Sequence, residues 1–110
     1  MPHLRFRAVE PSMVQTLSKT LIDELEPHMA CPREDFTFEY LYTTFYHEGE
    51  VSRAYPFVEI LWFDRGQEVK NAVVQIITRQ VRDVIGEDID VAVIFSALNK
   101  QDYYDNGEHY

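Results

Sequence analysis

The residue whose type and position could most directly do chemistry is Pro2, which follows the first methionine. A small second residue favours removal of Met1, and that removal would leave Pro2 with a free secondary amine. An α-amino group ordinarily titrates near pH ~8, and apolar surroundings or a nearby cation lower its pKa. The sequence therefore offers Pro2 as a general base or a nucleophile. In the alternative interpretation, Pro2 only leads into the first strand.

Two arginines, Arg33 and Arg65, are candidates to hold an anionic substrate beside Pro2. The hydrophobic pattern of the chain predicts a sheet in which Pro2 begins a central strand and both arginines lie at the same end. A guanidinium group binds a carboxylate through two parallel hydrogen bonds. The apolar walls of such a site would come from Phe36, Phe63 and Val91. This combination favours a small keto or enol acid as the substrate, whereas the alternative leaves both arginines solvated.

Other chemistries lack a matching pattern in this sequence. Cys31 is the single cysteine, so an intramolecular disulfide is impossible, and we expect an inert thiol. The four histidines show no ligand spacing, and four glycines form no phosphate-binding loop. We therefore expect no metal site and no cofactor.

Composition narrows the class of protein. A chain of 110 residues corresponds to one domain on the usual scale of ~100–200 residues. Its net charge of -9 disfavours nucleic acid and anionic membranes as partners. No apolar run approaches the ~18 residues of a membrane span, and the N-terminus lacks the apolar segment of a signal peptide. A cytoplasmic protein is the expectation.

Hydrophobic periodicity predicts two strand–helix–strand units. The predicted strands span residues 3–9, 36–46, 56–63 and 90–98. The first helix follows Pro11 and is expected to stop at Pro27, because the residue before a proline avoids helical geometry. The second is expected to start with Asp64 as N-cap and Gln67 at the third position, and to end at Gly86. Residues 47–55 are predicted as a loop or hairpin, and the tail contains an Asn-Gly turn.

The two units are similar to each other. An offset of 54 pairs Pro2 with Pro56 and Glu10 with Asp64. We therefore predict an internal duplication, with pseudo-repeats at about 2–46 and 56–98 and a tail at 99–110, within a single domain spanning 1–110. Right-handed crossovers predict an α+β fold, in which both helices cover one face of a four-stranded mixed sheet. Strands one and three are central and antiparallel.

The opposite face of this sheet carries both charged and apolar residues. Its charges can pair across strands, Arg5 and Arg7 with Glu39 and Glu59. The apolar members are Leu41, Phe45, Leu61, Phe63, Ile94 and Leu98. This apolar area is too large to face water, and a second copy of the chain is the expected cover.

These features resemble the tautomerase superfamily, which includes macrophage migration inhibitory factor and 5-carboxymethyl-2-hydroxymuconate isomerase. The resemblance rests on the duplicated unit of about 110 residues and on the opening Met1-Pro2-His3. The run 55–63, with Tyr103-Tyr104 and Asn106-Gly107, is closest to a small uncharacterised bacterial family of that superfamily.

The resemblance implies a homotrimer with an active site between neighbouring subunits. It implies that Pro2 is catalytic, that Arg33 lies near the position of a family lysine, and that Tyr104 is the aromatic tail residue of the pocket. Val91 and Val93 stand where macrophage migration inhibitory factor has a tyrosine and an asparagine.

The residues and the resemblance together predict a tautomerase or isomerase for a small keto or enol carboxylic acid. Pro2 is the general base after Met1 is removed, and Arg33, Arg65, Phe36, Phe63 and Tyr104 contact the substrate. Two alternatives stay open. One is a non-catalytic trimeric small-molecule-binding or scaffold protein on the same fold. The other is a monomeric ferredoxin-like module whose open sheet face binds a partner.

Overall fold

The computed structural model describes residues 1–109, so that Tyr110, the end of the predicted tail, lies outside the described residues. In chain order, the elements are β1 (His3–Arg7), α1 (Pro11–Met29), β2 (Thr37–Tyr40), β3 (Phe45–His47), β4 (Glu50–Ser52), β5 (Phe57–Trp62), α2 (Gln67–Ile85), β6 (Ala92–Ala97), β7 (Tyr104–Asp105) and β8 (Glu108–His109). Short 3₁₀ turns at Arg33–Asp35 and Lys100–Asp102 precede β2 and β7.

The main sheet has the strand order β2-β1-β5-β6. β1 is parallel to β2 and antiparallel to β5, and β5 is parallel to β6. This α+β arrangement, with two helices on a four-stranded mixed sheet, confirms the predicted fold. Because β1 is central, the residues at its start have neighbours from two other strands.

The core lies between the helices and one face of the sheet. The side chains that alternate along the two central strands, Leu4, Phe6, Val58, Ile60 and Trp62, are fully buried. They pack against helix residues that recur at helical spacing, Leu17, Leu21, Leu25, Val73, Ile77 and Val81. Full burial of one such side chain contributes roughly 1.5–3 kcal/mol, so this cluster carries most of the stability.

The continuous strand predicted over 36–46 is wrong. β2 ends at Tyr40, and the chain then leaves the main sheet to form a separate hairpin from β3 and β4. The reason lies in the neighbouring strand, because β1 ends at Arg7 and Ala8 has a left-handed φ of 61°. The last backbone hydrogen bond between the two segments runs from Leu41 N–H to Phe6 O (2.9 Å), so residues after Leu41 have no β1 backbone to pair with.

Two predicted helix boundaries also need correction. Pro27 does not stop α1, which continues to Met29, because the Met29 side chain is fully buried in the core. Asp64 is not the N-cap of α2, and Gln67 is the first helical residue instead of the third. The Asp64 carboxylate accepts the Gly66 N–H (2.8 Å), so it closes the turn before the helix.

Other local predictions are confirmed. Gly86 follows the last residue of α2 and caps it. Asn106 and Gly107 have φ values of 55° and 82°, the geometry of a tight hairpin turn, and they connect β7 to β8. The two helices have the same length, 19 residues, which fits the predicted duplication.

Candidate functional site

Pro2 lies at the start of β1 and is buried. Its carbonyl accepts a hydrogen bond from the Thr37 N–H (3.1 Å), which sets the first rung between β1 and β2. The second half of the chain repeats this geometry, since the carbonyl of the buried Pro56 accepts the Ala92 N–H (3.0 Å). Only Pro2 stands where removal of one residue would create an amine.

Arg65 lies beside this end of the sheet and is half-buried. Its Nε donates to the Met29 carbonyl (2.8 Å), its Nη1 donates to the Phe63 carbonyl (2.7 Å), and the guanidinium lies 5.2 Å from the centre of the Trp62 ring. These contacts hold the group in place without neutralising it. Within residues 1–109, Arg65 forms no ion pair with a carboxylate, so its charge is available to an anion.

A second cation, Lys100, lies near the same place. Its Nζ is 5.8 Å from the centre of the Phe63 ring, and Tyr103 packs edge-on against that ring at 5.5 Å. Sequence reasoning missed Lys100. The signal was in the topology, because β6 runs parallel to β5 and the residues after both strands must meet at one edge of the sheet.

The electrostatics of this end of the sheet act directly on the chain's N-terminal amine. The pKa of the Met1 amino group is lowered from its ordinary value of 8.0, first by burial and second by the charge of Arg65. Lys100 lowers the pKa further, whereas Cys31 and Asp35 oppose these effects. The net result favours an uncharged amine.

Cys31 shares these surroundings. Burial raises the pKa of its thiol, so the thiolate that would act as a nucleophile is disfavoured.

Arg33 is bound to acidic side chains of α1. Its guanidinium is exposed and binds the carboxylates of Asp23 (2.8 Å) and Glu26 (3.2 Å) on α1. The hydrogen bond with Asp23 is the main cause of a raised Arg33 pKa. Unlike Arg65, this arginine already has two anionic partners.

The aromatic candidates are divided between two places. Phe36 is buried just before β2 and stacks on Phe38 at 6.5 Å. Tyr104 lies in the tail hairpin, 59% exposed, and packs on His109 at 4.5 Å. Within a single chain, Tyr104 is therefore a surface residue.

The open face of the sheet carries a row of ion pairs. Glu39 Oε1 accepts from Arg5 Nε (2.6 Å), and the Glu59 carboxylate lies 3.8 Å from Arg5 and 3.7 Å from Arg7. The predicted cross-strand pairing is confirmed, although in one chain these groups are half-buried. His3, which sequence reasoning did not place in this row, joins it through Glu39 (2.8 Å).

A groove of about 570 Å³ lies at the opposite end of β1 from Pro2. It separates the β3–β4 hairpin from the residues that follow β1, and contains none of the predicted site residues.

In the part of the chain that the structure describes, no cluster of three His, Cys, Asp or Glu side chains could hold a metal ion. No helix among residues 1–109 is both long and apolar enough to cross a membrane.

Comparison with solved structures shows the class of fold. The chain superimposes on a fused 4-OT, described as an asymmetric trimer, with a TM-score of 0.79 at 14% identity, covering 97% of this chain and 94% of that one. Macrophage migration inhibitory factor-like proteins match as well. The chain thus has the fold of the tautomerase superfamily, which confirms the predicted resemblance.

Within that class, the chain belongs to the family described as Domain of unknown function (DUF1904), whose model matches residues 1–109. A DUF1904 structure from Sebaldella termitidis ATCC 33386 is 35% identical, with a TM-score of 0.93 and full coverage of both chains. A protein of unknown function from Vibrio cholerae O1 biovar eltor str. N16961 is 43% identical, with a TM-score of 0.89, covering 99% of this chain and 87% of that one. No curated protein matches the chain.

Proposed function

We propose that the protein is a tautomerase or isomerase of small keto or enol carboxylic acids, with the Pro2 amine as general base once Met1 has been removed. One observation carries the proposal. The buried start of a central strand lies close enough to Arg65 for its charge to act on the N-terminal amine, and this half-buried guanidinium donates hydrogen bonds to two neutral carbonyls. This arrangement supports a base and a cation for the substrate carboxylate at one end of the sheet.

The chemistry needs a base that is uncharged near neutral pH. Burial and the charge of Arg65 lower the pKa of the Met1 amine, and we expect both effects to act on the Pro2 amine that removal of Met1 would create one residue further along. Such an amine removes a proton from the carbon beside a carbonyl and returns it to the oxygen or to another carbon. Arg65 binds the substrate carboxylate and keeps it oriented. No cofactor is needed for this proton transfer.

We also propose that the active form is a homotrimer. The open sheet face carries Ile94, which is 43% exposed, and three fused 4-OT structures with this fold are described as trimers. A neighbouring subunit would cover this face and would complete the walls that Phe36, Phe63 and Tyr104 begin.

The test compares two prolines at equivalent positions. Tag-free protein, shown by intact mass to lack Met1, is assayed against a panel of 2-keto and enol acids. Loss of general-base catalysis typically lowers turnover by 10²–10⁴. We expect Pro2→Ala to lower turnover strongly, although its primary amine can retain part of the activity. Pro56→Ala should change turnover little, because Pro56 has the same backbone hydrogen bond as Pro2 but no free amine.

A third protein, with an N-terminal extension, should be inactive because the Pro2 nitrogen becomes an amide. Equal turnover with and without the extension would exclude Pro2 as the base. If no acid in the panel is turned over although some bind, the non-catalytic binding protein becomes the better account. Val91 and Val93, which offer no proton donor, would fit that result.

A further inference from the structure

The His3 side chain is held at both of its ring nitrogens. Nδ1 lies 2.6 Å from the Thr37 hydroxyl, and Nε2 lies 2.8 Å from Glu39 Oε1. The same Glu39 oxygen accepts from Arg5 Nε (2.6 Å), which fixes the carboxylate in turn. A planar ring with a partner at each end cannot rotate about either side-chain torsion without losing a contact. We refer to His3, Thr37 and Glu39 as the His3 clamp.

Thr37 contacts the start of β1 twice. Its N–H donates to the Pro2 carbonyl (3.1 Å), and its hydroxyl contacts the His3 ring. The Pro2–His3 unit is therefore tied to β2 through one backbone bond and one side-chain bond from the same residue. Glu39, two residues further along β2, supplies the third tie.

The second half of the chain shows what strand pairing alone requires. There the Pro56 carbonyl accepts the Ala92 N–H (3.0 Å), and Phe57 lies opposite Ala92. Phe57 and Ala92 take the places of His3 and Thr37, and neither has a polar side chain. The backbone rung thus forms without a clamp. The clamp occurs in the half that contains residues 1–3, and the first residues of a domain are well ordered only when other contacts tie them down.

We propose that His3 is a positioning residue, and that the His3 clamp holds the Pro2 end of β1 in place for the Pro2 amine. The proposal rests on the proposed function for its catalytic consequence, and on the geometry alone for its effect on the strand. The clamp works with either charge on the ring. A neutral ring donates to Glu39 and accepts from Thr37, and a protonated ring donates to both. Misplacing a reacting group by about 1 Å can lower the rate 10²-fold, so the restraint matters for turnover.

The decisive variant is His3→Phe, which gives the first half the residue found in the second. Glu39 keeps its bond to Arg5, so no carboxylate is left unpaired. We expect hydrogen exchange at the Thr37 amide, which reports the bond to Pro2, to rise roughly three- to tenfold, as for loss of one or two hydrogen bonds. The Ala92 amide, which reports the bond to Pro56, serves as an internal control and should not change. An unchanged ratio of the two exchange rates would overturn the proposal.

A second pair of variants separates positioning from general stability. Thr37→Val removes the hydroxyl but keeps the N–H bond to Pro2, and Thr37→Ser retains the hydroxyl. In tag-free protein, we expect Thr37→Val and His3→Phe to lower kcat with little change in KM. Thr37→Ser, which keeps the hydroxyl, should have a kcat near the wild-type value. A rise in KM with unchanged kcat in both would contradict a positioning role. If the wild-type protein turns nothing over, the proposed function fails, whereas the exchange ratio still decides whether the clamp holds the strand.

Discussion

Arg33 and Arg65 differ in their partners. Arg33 binds two carboxylates of α1 in an exposed position, whereas Arg65 donates to two backbone carbonyls and is half-buried. An arginine with two anionic partners gains little from a third. An arginine bound to neutral groups keeps its attraction for an anion. The partners of each guanidinium therefore favour Arg65 as the carboxylate-binding residue.

This difference gives a paired test of substrate binding. We expect Arg65→Ala to raise KM by roughly tenfold to a hundredfold, because a hydrogen bond to a charged group contributes about 1.5–3 kcal/mol. Arg33→Ala should leave KM near the wild-type value. Steady-state kinetics on the tag-free protein measures both, and thermal denaturation shows whether either variant has lost stability. The opposite ranking would assign the carboxylate to Arg33.

The Glu39 carboxylate gives a prediction about acid stability. The hydrogen bond from His3 is the main cause that lowers its pKa below the ordinary value of 4.5. A lowered carboxyl pKa stabilises the folded state above pH 4.5, and this contribution is lost as the pH falls through the folded-state value. We therefore expect Glu39→Gln to be less stable than wild type at pH 7, with the difference shrinking below pH 4.5.

Urea denaturation at several pH values measures this effect. Glu34→Gln is the matched control, since Glu34 is exposed and forms no ion pair within the described range 1–109. A stability difference for Glu39→Gln that stayed constant between pH 7 and pH 3 would show that the charge of Glu39 does not stabilise the fold.

At the scale of elements, patterns that depend on neighbours in the sequence predicted the structure well. Gly86 caps α2 at the end of a long amphipathic repeat, and Asn106-Gly107 forms the turn in the tail, so both determine the structure at their own positions. The wrong element boundaries occur where contacts with residues distant in the sequence determine the local structure. Residues 41–44 have strand-forming side chains but no strand beside them, because β1 has already ended.

In the candidate site, too, the sequence predicted some residues and missed others. Pro2 and Arg65 were placed together by strand order alone, which the repeat pattern predicts. His3 and Lys100 were missed for a different reason. Their roles depend on side chains that reach across strands, His3 to Glu39 and Lys100 to the Phe63 ring. Periodicity predicts the face of the strand on which His3 lies, together with Arg5 and Arg7, but it does not predict the partner that a side chain reaches.

Met29 explains why α1 continues past Pro27. Its side chain is fully buried, so the final turn is held by packing in spite of the missing proline N–H. We expect Met29→Ala to lower the free energy of unfolding by about 2–5 kcal/mol, the usual cost of truncating a buried Met or Leu. The exposed neighbour offers the control, since His28→Ala should change stability by less than about 0.5 kcal/mol. Equal effects in urea denaturation would mean that core packing does not hold this turn.

At the scale of the whole molecule, the two faces of the sheet differ in how they are covered. The helices bury the central strands of one face completely and its edge residues Phe38, Val93 and Phe95 in part, whereas the other face carries half-buried ion pairs and the exposed Ile94. A net charge of -9 opposes association, so the surfaces that meet must have local features that overcome this repulsion. A face whose charges are already paired within one chain meets this requirement.

The position of Ile94 makes the proposed trimer testable. Ile94 lies opposite Glu59 on the open face, and a charge introduced there would be desolvated by a neighbouring subunit. We expect the wild-type protein to scatter light as three copies of the 13.0 kDa chain, about 39 kDa, and Ile94→Glu to approach the mass of one chain while remaining folded. Gln75→Glu makes the same charge change on the exposed surface of α2 and should remain trimeric. A wild-type mass near 13.0 kDa would exclude the trimer, and a trimeric Ile94→Glu would show that subunits meet elsewhere.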